Sequence, residues 1–441
     1  MTARLAARVL GALPGPARPL VEAVLAEAER RALAVHLVGG PVRDFLLGRA
    51  VRDVDLLVEP GAEGGAPELA RAAVPPGARV VAHERFGTAK LESGEGAVDL
   101  ASARAESYAR PGALPSVRTG SLDEDLRRRD FTVNALAIPL TAAARRGRPE
   151  VVDPGGGVAD LEAGVLRVFH ARSFHDDPTR ALRAARLAPR LGFRLARGAA
   201  SALRAALREG AFGGVSGERF RAELEKLFED ARLGLDPARA LRLLDAWHVF
   251  PALEPGLALP PAAAPALRRL GRAATRPPFA EPAGRPAPCG FMLWLAPLEA
   301  ALRRRALRRL ALQGAPAAAI AGFPARHAAL LRALARARGR GACDAVLASV
   351  DPDALLAHWC AAPPAARRRI ERWAREDRAR AAPLGGRDVV ALGLRGPAVG
   401  AALARVRAAF LDGEVRSRED ALALARELAG APRVRAARRP S

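Results

Sequence analysis

Apolar residues between positions 17 and 34 recur at helical spacing, and the pattern then changes to the short, mostly apolar stretch Val35 to Val38, which stops at Gly39-Gly40. The change predicts a helix feeding a short strand that closes in a glycine turn. The stretch PVRDFLLG follows, with Pro41 at a first-turn position and Gly48 beyond the end, and predicts a short helix; VDLLVE after it predicts a second strand. Apolar stretches at 79–82, 87–91 and 97–100 continue a sheet, while the polar, Pro- and Gly-containing segment 107–121 reads as a loop. From about Asp176 onward strand signals nearly vanish, and Leu, Ala and Arg at helical spacing describe an all-helical remainder. Segments 257–265, 275–289 and 381–386 read as connections between helical sub-bundles, and no repeat of fixed period is present. The fold class expected is α+β, a mixed sheet followed by helices.

Composition sharpens this picture in two places. At 441 residues the chain is too long for one ordinary core, so several packed modules are expected. Basic groups outnumber acidic ones by 70 to 47, for a net charge of +23, which favours an anionic partner. Nucleic acid leads, because phosphates reward Arg through both charge and its bidentate fork. A GC-rich coding bias explains why only Lys90 and Lys226 are lysines, but it leaves the charge excess in place. Cys289, Cys343 and Cys360 lie far apart without paired spacing, so no zinc cluster, redox dithiol or disulfide framework is expected, and a reducing cytoplasm fits. Pro14 and Pro16 interrupt the N-terminal stretch and no long apolar run follows, so neither an export signal nor a membrane span is expected.

Three constellations carry candidate chemistry. In LVGGPVRDFLLGRAVRDVDLLVE, Asp53 and Asp55 are one residue apart, so on a strand both face a cleft while Val54 turns into the core. Paired carboxylates suit Mg²⁺, which takes oxygen ligands and retains waters and phosphate oxygens. Gly39 and Gly40 let backbone N–H groups approach phosphates, and Arg43 adds a charged fork. Each feature alone is also what an ordinary turn and solvated aspartates give; their joint order points to a metal site. Asp99, flanked by Val98 and Leu100, is a candidate third carboxylate. In RRDFTVNALAI, Arg128, Arg129, Asp130 and Asn134 are spaced to meet ribose and phosphates, or Asp130 and Thr132 cap a helix that buries Val133, Leu136 and Ile138.

In DDPTRALRAARLAPRLGF, Asp176 and Asp177 precede Pro178 at the start of a helix carrying Arg180, Arg183 and Arg186, with Asp177 and Arg180 near enough to act together. Cytosine and adenine both present an exocyclic amine beside a ring-nitrogen acceptor, so a carboxylate next to a guanidinium can pair with either. Uracil and guanine present a carbonyl there instead. A mispaired buried polar group costs about 1–3 kcal/mol, so two mismatches allow about a hundredfold discrimination. A capped helix with a solvated basic face is the plainer alternative. The dipeptide His175-Asp176 lacks the surrounding histidines of a phosphohydrolase.

Taken together these segments resemble the class II tRNA nucleotidyltransferases, the family of CCA-adding enzymes and bacterial poly(A) polymerases. GGPVRDFLLG with DVD resembles the catalytic motif, RRDFTVNALA the ribose-binding motif, and DDPTR the base-reading motif, with Asp176 where Glu is more usual. ERFRAELEK, 218–226, resembles a motif that braces the base-reading helix, and 386–403 resembles the tail of many members, with a structural or tRNA-contacting role. The resemblance implies a polymerase-beta-like head at 1–165, a helical neck at 166–235, a body at 236–340 and a tail at 341–441. It implies that Asp53 and Asp55 bind metals, that Gly40, Arg43 and Arg129 hold the nucleotide, and that Asp177, Arg180, Arg183 and Arg186 contact base or phosphates. The expected partners are the tRNA acceptor arm with CTP and ATP as substrates; no protein partner is implied. The basic C-terminal RVRAARRP is a candidate RNA contact or a disordered tail.

Full CCA addition is the first expectation, followed by A-only addition, CC-only addition and poly(A) synthesis. Segment 103–121 occupies the place of the loop that helps CCA-adders switch from C to A, but in a compact, Pro-containing form. A catalytically dead RNA-binding protein is opposed by the intact Asp53 and Asp55, and a small-molecule nucleotidyltransferase has no need of the large basic helical half.

Overall fold

The computed structural model describes residues 2–113, 115–280 and 284–430. The basic segment 433–440, and Leu114 in the 103–121 segment, therefore lie outside the described residues. The chain forms two compact units: one holds the residues up to Phe220 with Leu243–Pro255, the other Arg221–Arg242 and the residues from Gly256 onward.

The first unit begins with α1 (Thr2–Ala12) and α2 (Arg18–Arg30), and then β1 (Ala34–Val38) runs into α3 (Gly40–Leu46) through Gly39. There follow β2 (Asp55–Glu59), α4 (Ala66–Ala72), β3 (Arg79–His83), β4 (Thr88–Ser93) and β5 (Gly96–Ser102). With β8 (Ala137–Pro139) they make one six-stranded sheet in the order β3-β4-β5-β2-β1-β8, in which only β2 and β5 pair in parallel. One face carries Leu56, Ala89, Leu91, Val98 and Leu100, all buried, and α2 and α4 pack on β4 and β5. Opposite faces of the pleat alternate, so Asp55 and Asp99 look the other way.

Two expectations change here, and one helix appears where none was read. Segment 107–121 is not wholly loop: β6 (Arg104–Ser107) pairs antiparallel with β7 (Ser116–Thr119), and the segment is a hairpin. All four residues of β7 are exposed, so no alternation of apolar and polar residues marks it. Between the hairpin and β8 lies α5 (Leu122–Arg127), opened by Ser121 and Glu124 in a reciprocal capping box. Finally, Asp130 and Thr132 open no helix; a single 3₁₀ turn, Thr132–Asn134, leads straight into β8. Val133, Leu136 and Ile138 are nonetheless buried, as either reading required.

Beyond β8 come α6 (Ala142–Arg145), α7 (Gly157–Ala163), β9 (Val165–Leu166), α8 (Ser173–Asp176) and α9 (Arg180–Leu191). A two-residue strand β10 (Arg194–Leu195) pairs with β9, after which α10 (Arg197–Arg208) and α11 (Gly217–Glu229) follow. The strand-free remainder expected after Asp176 thus holds one short exception.

The second unit is helical among its described residues. Helix Pro286–Leu295 begins inside the stretch read as a connection, with Pro286 in its first turn, where the missing N–H costs nothing. Helices Gly386–Ala391, Pro397–Asp412 and Arg418–Gly430 share a core of Val389, Ala402, Val406, Ala409, Ala421 and Ala425, a packing function for the 386–403 segment. No helix among the described residues is long and apolar enough to cross a membrane.

Candidate active site

The glycine turn decides how closely side chains can gather at the end of β1. Gly39 has φ of +76°, and a Cβ there would lie 2.8 Å from Arg129 Nη1 and 3.9 Å from Asp55 Oδ2. Only glycine adopts that backbone cheaply and leaves the space. Arg129 and Asp55 thereby meet beside the turn.

Asp55 opens β2 and pairs in register with Asp99 on β5. Asp53 lies just before the strand and is exposed, while Val54 between them is buried. Burial first, then Asp99, pushes the Asp55 carboxyl up to about 6; Arg129 opposes the shift, Asp53 adds to it and Arg43 opposes it. Asp99 is also raised, mainly by burial, with Lys90 opposing and Asp53 adding. Carboxylates gathered so that Asp55 and Asp99 resist ionisation suit a cation. Among the described residues no group of three or more His, Cys, Asp or Glu is gathered closely enough to hold a metal alone. The donor set therefore fits an ion whose other ligands are water and triphosphate oxygens.

A second layer fixes the arginines. Asp125 on α5 is fully buried; its Oδ1 accepts from Arg128 Nη2 at 2.5 Å and its Oδ2 from Arg129 Nη2 at 3.0 Å. Asp125 was not among the sequence candidates, although its spacing of three and four residues from Arg128 and Arg129 on a helical path was a readable signal. Behind the glycine turn, Arg43 Nη1 donates to Asn134 Oδ1 at 2.6 Å, and Asn134 Nδ2 donates to Asp130 Oδ1 at 3.0 Å. Asp130 Oδ2 in turn accepts from Arg183 Nε at 2.7 Å. Burial alone would raise the Asp130 carboxyl, but Arg183 and Asn134 hold it below its usual range. Arg43, Asn134, Asp130 and Arg183 thus form one relay from α3 to α9. Asp130 is buried and its oxygens serve that relay, so it orients neighbours instead of facing a ligand.

At the start of α9, Asp177 and Arg180 make no hydrogen bond to each other. Arg180 is buried, and its guanidinium donates to Ser173 Oγ and, at 2.8 Å, to the Arg128 carbonyl. Arg180 thereby ties α8 to the end of α5. The guanidinium on Asp177 belongs to Arg219, at 2.8 Å from Oδ1. Arg183 and Arg186 lie on the same helix, both half-buried. His175 is buried and shares a hydrogen bond of 2.8 Å with Glu209, a structural use of the His-Asp dipeptide.

Residues 35–167 match the Poly A polymerase head domain. The A-adding tRNA nucleotidyltransferase of Aquifex aeolicus is 41% identical over 222 residues, covering 50% of this chain and 25% of that one. The chain spans only 25% to 55% of the length of the A-adding relatives it matches. The CC-adding tRNA nucleotidyltransferase of Deinococcus radiodurans is 36% identical over 425 residues, 94% of this chain and 95% of that one. A solved CCA-adding enzyme in an apo form superposes with a TM-score of 0.71 at 27% identity, covering 95% of this chain and 97% of that one. Since the likeness to the Deinococcus radiodurans protein runs through nearly all of both chains and the paired aspartates and glycine turn stand in the head-domain match, the chain belongs to the class II tRNA nucleotidyltransferase family.

Proposed function

We propose that the protein builds the CCA end of tRNA by transferring CMP and AMP from CTP and ATP to the RNA 3′-hydroxyl. The observation that carries this reading is the Asp53, Asp55 and Asp99 group beside Arg129 at a glycine turn. In the reaction the 3′-oxygen bonds to the α-phosphorus, the α–β bridging bond breaks, and pyrophosphate leaves. Family membership supports a divalent cation, and we assign it as Mg²⁺ held by Asp53 and Asp55. When bound, it supplies a lowered pKa for the 3′-hydroxyl and charge stabilisation on the departing pyrophosphate. Arg129, held by Asp125, presents its guanidinium to the triphosphate; Gly39 lets Arg129 come close to the turn, and Gly40 leaves room for phosphates against the backbone. Arg43, Asn134 and Asp130 keep that wall rigid, and Asp177, Arg183 and Arg186 lie on the base side, braced by Arg180. The division into head, neck, body and tail belongs to this reading, as does a cytoplasmic location, where tRNA, CTP and ATP meet.

CC-only addition is the second reading. It is favoured by the near full-length likeness to a CC-adding relative and by the compact hairpin in the place of a switching loop. Transcripts ending at the discriminator base, after C, and after CC, incubated with Mg²⁺ and CTP, ATP or both, test the two. Growth of the shortest transcript through CCA is the expected result; arrest after CC establishes the second reading. Loss of extension with retained tRNA binding in Asp53→Ala and Asp55→Ala is expected, and if no transcript grows with the unaltered protein the catalytic reading fails.

A further inference from the structure

A line of side chains crosses four strands of the sheet on the face that carries the aspartates. Asp55 pairs in register with Asp99, Asp99 with Lys90, and Lys90 with Val81. One strand spacing, about 4.8 Å, separates the Lys90 backbone from that of Asp99. The opposite face of these strands is closed, with Ala89, Leu91, Val98 and Leu100 buried. This face is open: Arg79, Val81, His83 and Asp99 are exposed, and Thr88 and Lys90 partly so. The glycine turn and Arg129 lie on the other side of Asp55, toward β1.

Lys90 is held in place on that open face. Its Nζ lies 3.1 Å from Glu92 Oε1, and Glu92 Oε2 accepts from Arg79 Nε at 2.8 Å and Nη2 at 2.6 Å. Two cations share one carboxylate, which leaves a positive charge over. Glu92 first, then Asp99, hold the Lys90 ammonium above its usual range, so it is charged at neutral pH. In return Lys90 opposes the rise that burial gives the Asp99 carboxyl. The Lys90 side chain is 45% exposed and that of Arg79 78%, so both can meet an anion from solvent. In a chain whose only other lysine is Lys226, the cation next to the aspartates is a compact ammonium where arginine is the rule.

Displacement at the α-phosphorus sets where the RNA must enter. The attacking 3′-oxygen and the departing pyrophosphate lie roughly in line, on opposite sides of the phosphorus. With the triphosphate toward Gly39 and Arg129, the RNA 3′ end comes over Asp99, and its last nucleotide lies on the open face of β4 and β3. We propose that Lys90 is a substrate-positioning residue: its ammonium, aimed by Glu92 and supported by Arg79, holds the last internucleotide phosphate of the RNA and so sets the 3′-hydroxyl against Asp99. The proposal rests on the nucleotidyltransferase reading above. One ribose separates that phosphate from the 3′-hydroxyl, as one strand separates Lys90 from Asp99. Arg129 and Lys90 thus divide the two anionic substrates between them.

The test removes the cation from the protein and the charge from the RNA, singly and together. It compares kcat/KM for CMP transfer to a tRNA ending at the discriminator base whose last internucleotide linkage is either the phosphate or a neutral methylphosphonate. The methylphosphonate is expected to lower kcat/KM of the unaltered protein about tenfold or more, and Lys90→Met to cost about as much on the normal tRNA, since each removes the same charge-assisted contact. On the modified tRNA the two proteins should be nearly equal, because the contact is already gone. Lys90→Arg keeps the cation and most of the difference between the two tRNAs. Lys90→Gln repeats the comparison should the methionine variant not fold. CTP affinity by equilibrium dialysis is expected to be the same in every variant. A purely structural role would lower the melting temperature and give losses from variant and methylphosphonate that multiply. Multiplying losses, or CTP binding weakened along with RNA use, overturn the proposal. Failure of the unaltered protein to extend any tRNA would instead sink the reading on which it rests.

Discussion

A carboxylate half-buried beside Asp99 and Asp53 favours its protonated form, and Asp55 is accordingly pushed up to about 6 from 3.8, by burial first and Asp99 next. Between those two values the folded state holds a proton that the unfolded chain has released, so stability falls as pH rises through that window. At pH 7, without a cation, the fold carries an unfavourable charge at its most reactive point. Asp55→Asn is therefore expected to stabilise the metal-free protein at pH 7 by about 1–3 kcal/mol while abolishing nucleotidyl transfer. Denaturant titrations without Mg²⁺ check this. A variant less stable than the parent at pH 7, yet equal to it at pH 4, would contradict the assignment. Strain of this kind is expected where the protein has to leave room for a cation.

At the scale of elements, α5 matters most, because six residues position two arginines. Asp125→Ala leaves Arg128 and Arg129, each about one-fifth exposed, without their shared carboxylate. Removing one partner of a buried ion pair costs about 3–5 kcal/mol, less here for partial exposure. The variant is expected to lower the urea midpoint and to raise KM for nucleotide, since Arg129 is no longer aimed at the turn; an unchanged KM with a lowered midpoint would restrict Asp125 to stability. What the sequence disclosed follows the same scale. Strands β1, β2, β4 and β5 were legible from their apolar runs, and the Asp53–Asp55 pair from local spacing. The helix α5 was missed because LDEDLR is polar, and only Ser121 and Glu124 advertise it. The helical pattern of Val133, Leu136 and Ile138 was outweighed by long-range pairing: the Leu136 carbonyl accepts from Gly39, and Ala137 pairs with both Val38 and Val152. The Asp177–Arg219 pair joins residues 42 positions apart, a distance that no spacing rule spans.

For the whole molecule, charge sets the terms on which each unit works. In the helical unit, His327 and His358 share a hydrogen bond of 2.9 Å between their Nδ1 atoms and stack with Phe323. Burial first, then His327, lowers His358 to about 3. The unfolded chain takes up that proton near 6.5 and the folded unit does not, so stability is lost as pH falls below about 6.5. Replacing His358 by Gln should flatten the acid limb of a melting profile between pH 7.5 and about 5; a limb as steep as the parent's would assign it to other groups. The net charge of +23 acts over longer range. Each RNA phosphate neutralised by Arg releases condensed counterions, so RNA affinity should fall steeply with salt, by about a hundredfold or more between about 50 and 200 mM for six or more contacts. A nucleotide meets only a few charges in a pocket and should lose far less. Filter binding of tRNA, beside equilibrium dialysis of CTP over the same salt series, separates the two. A tRNA slope no steeper than that for CTP would mean that the excess of arginine serves packing and helix capping more than the RNA backbone, and that recognition of the acceptor arm rests on shape alone.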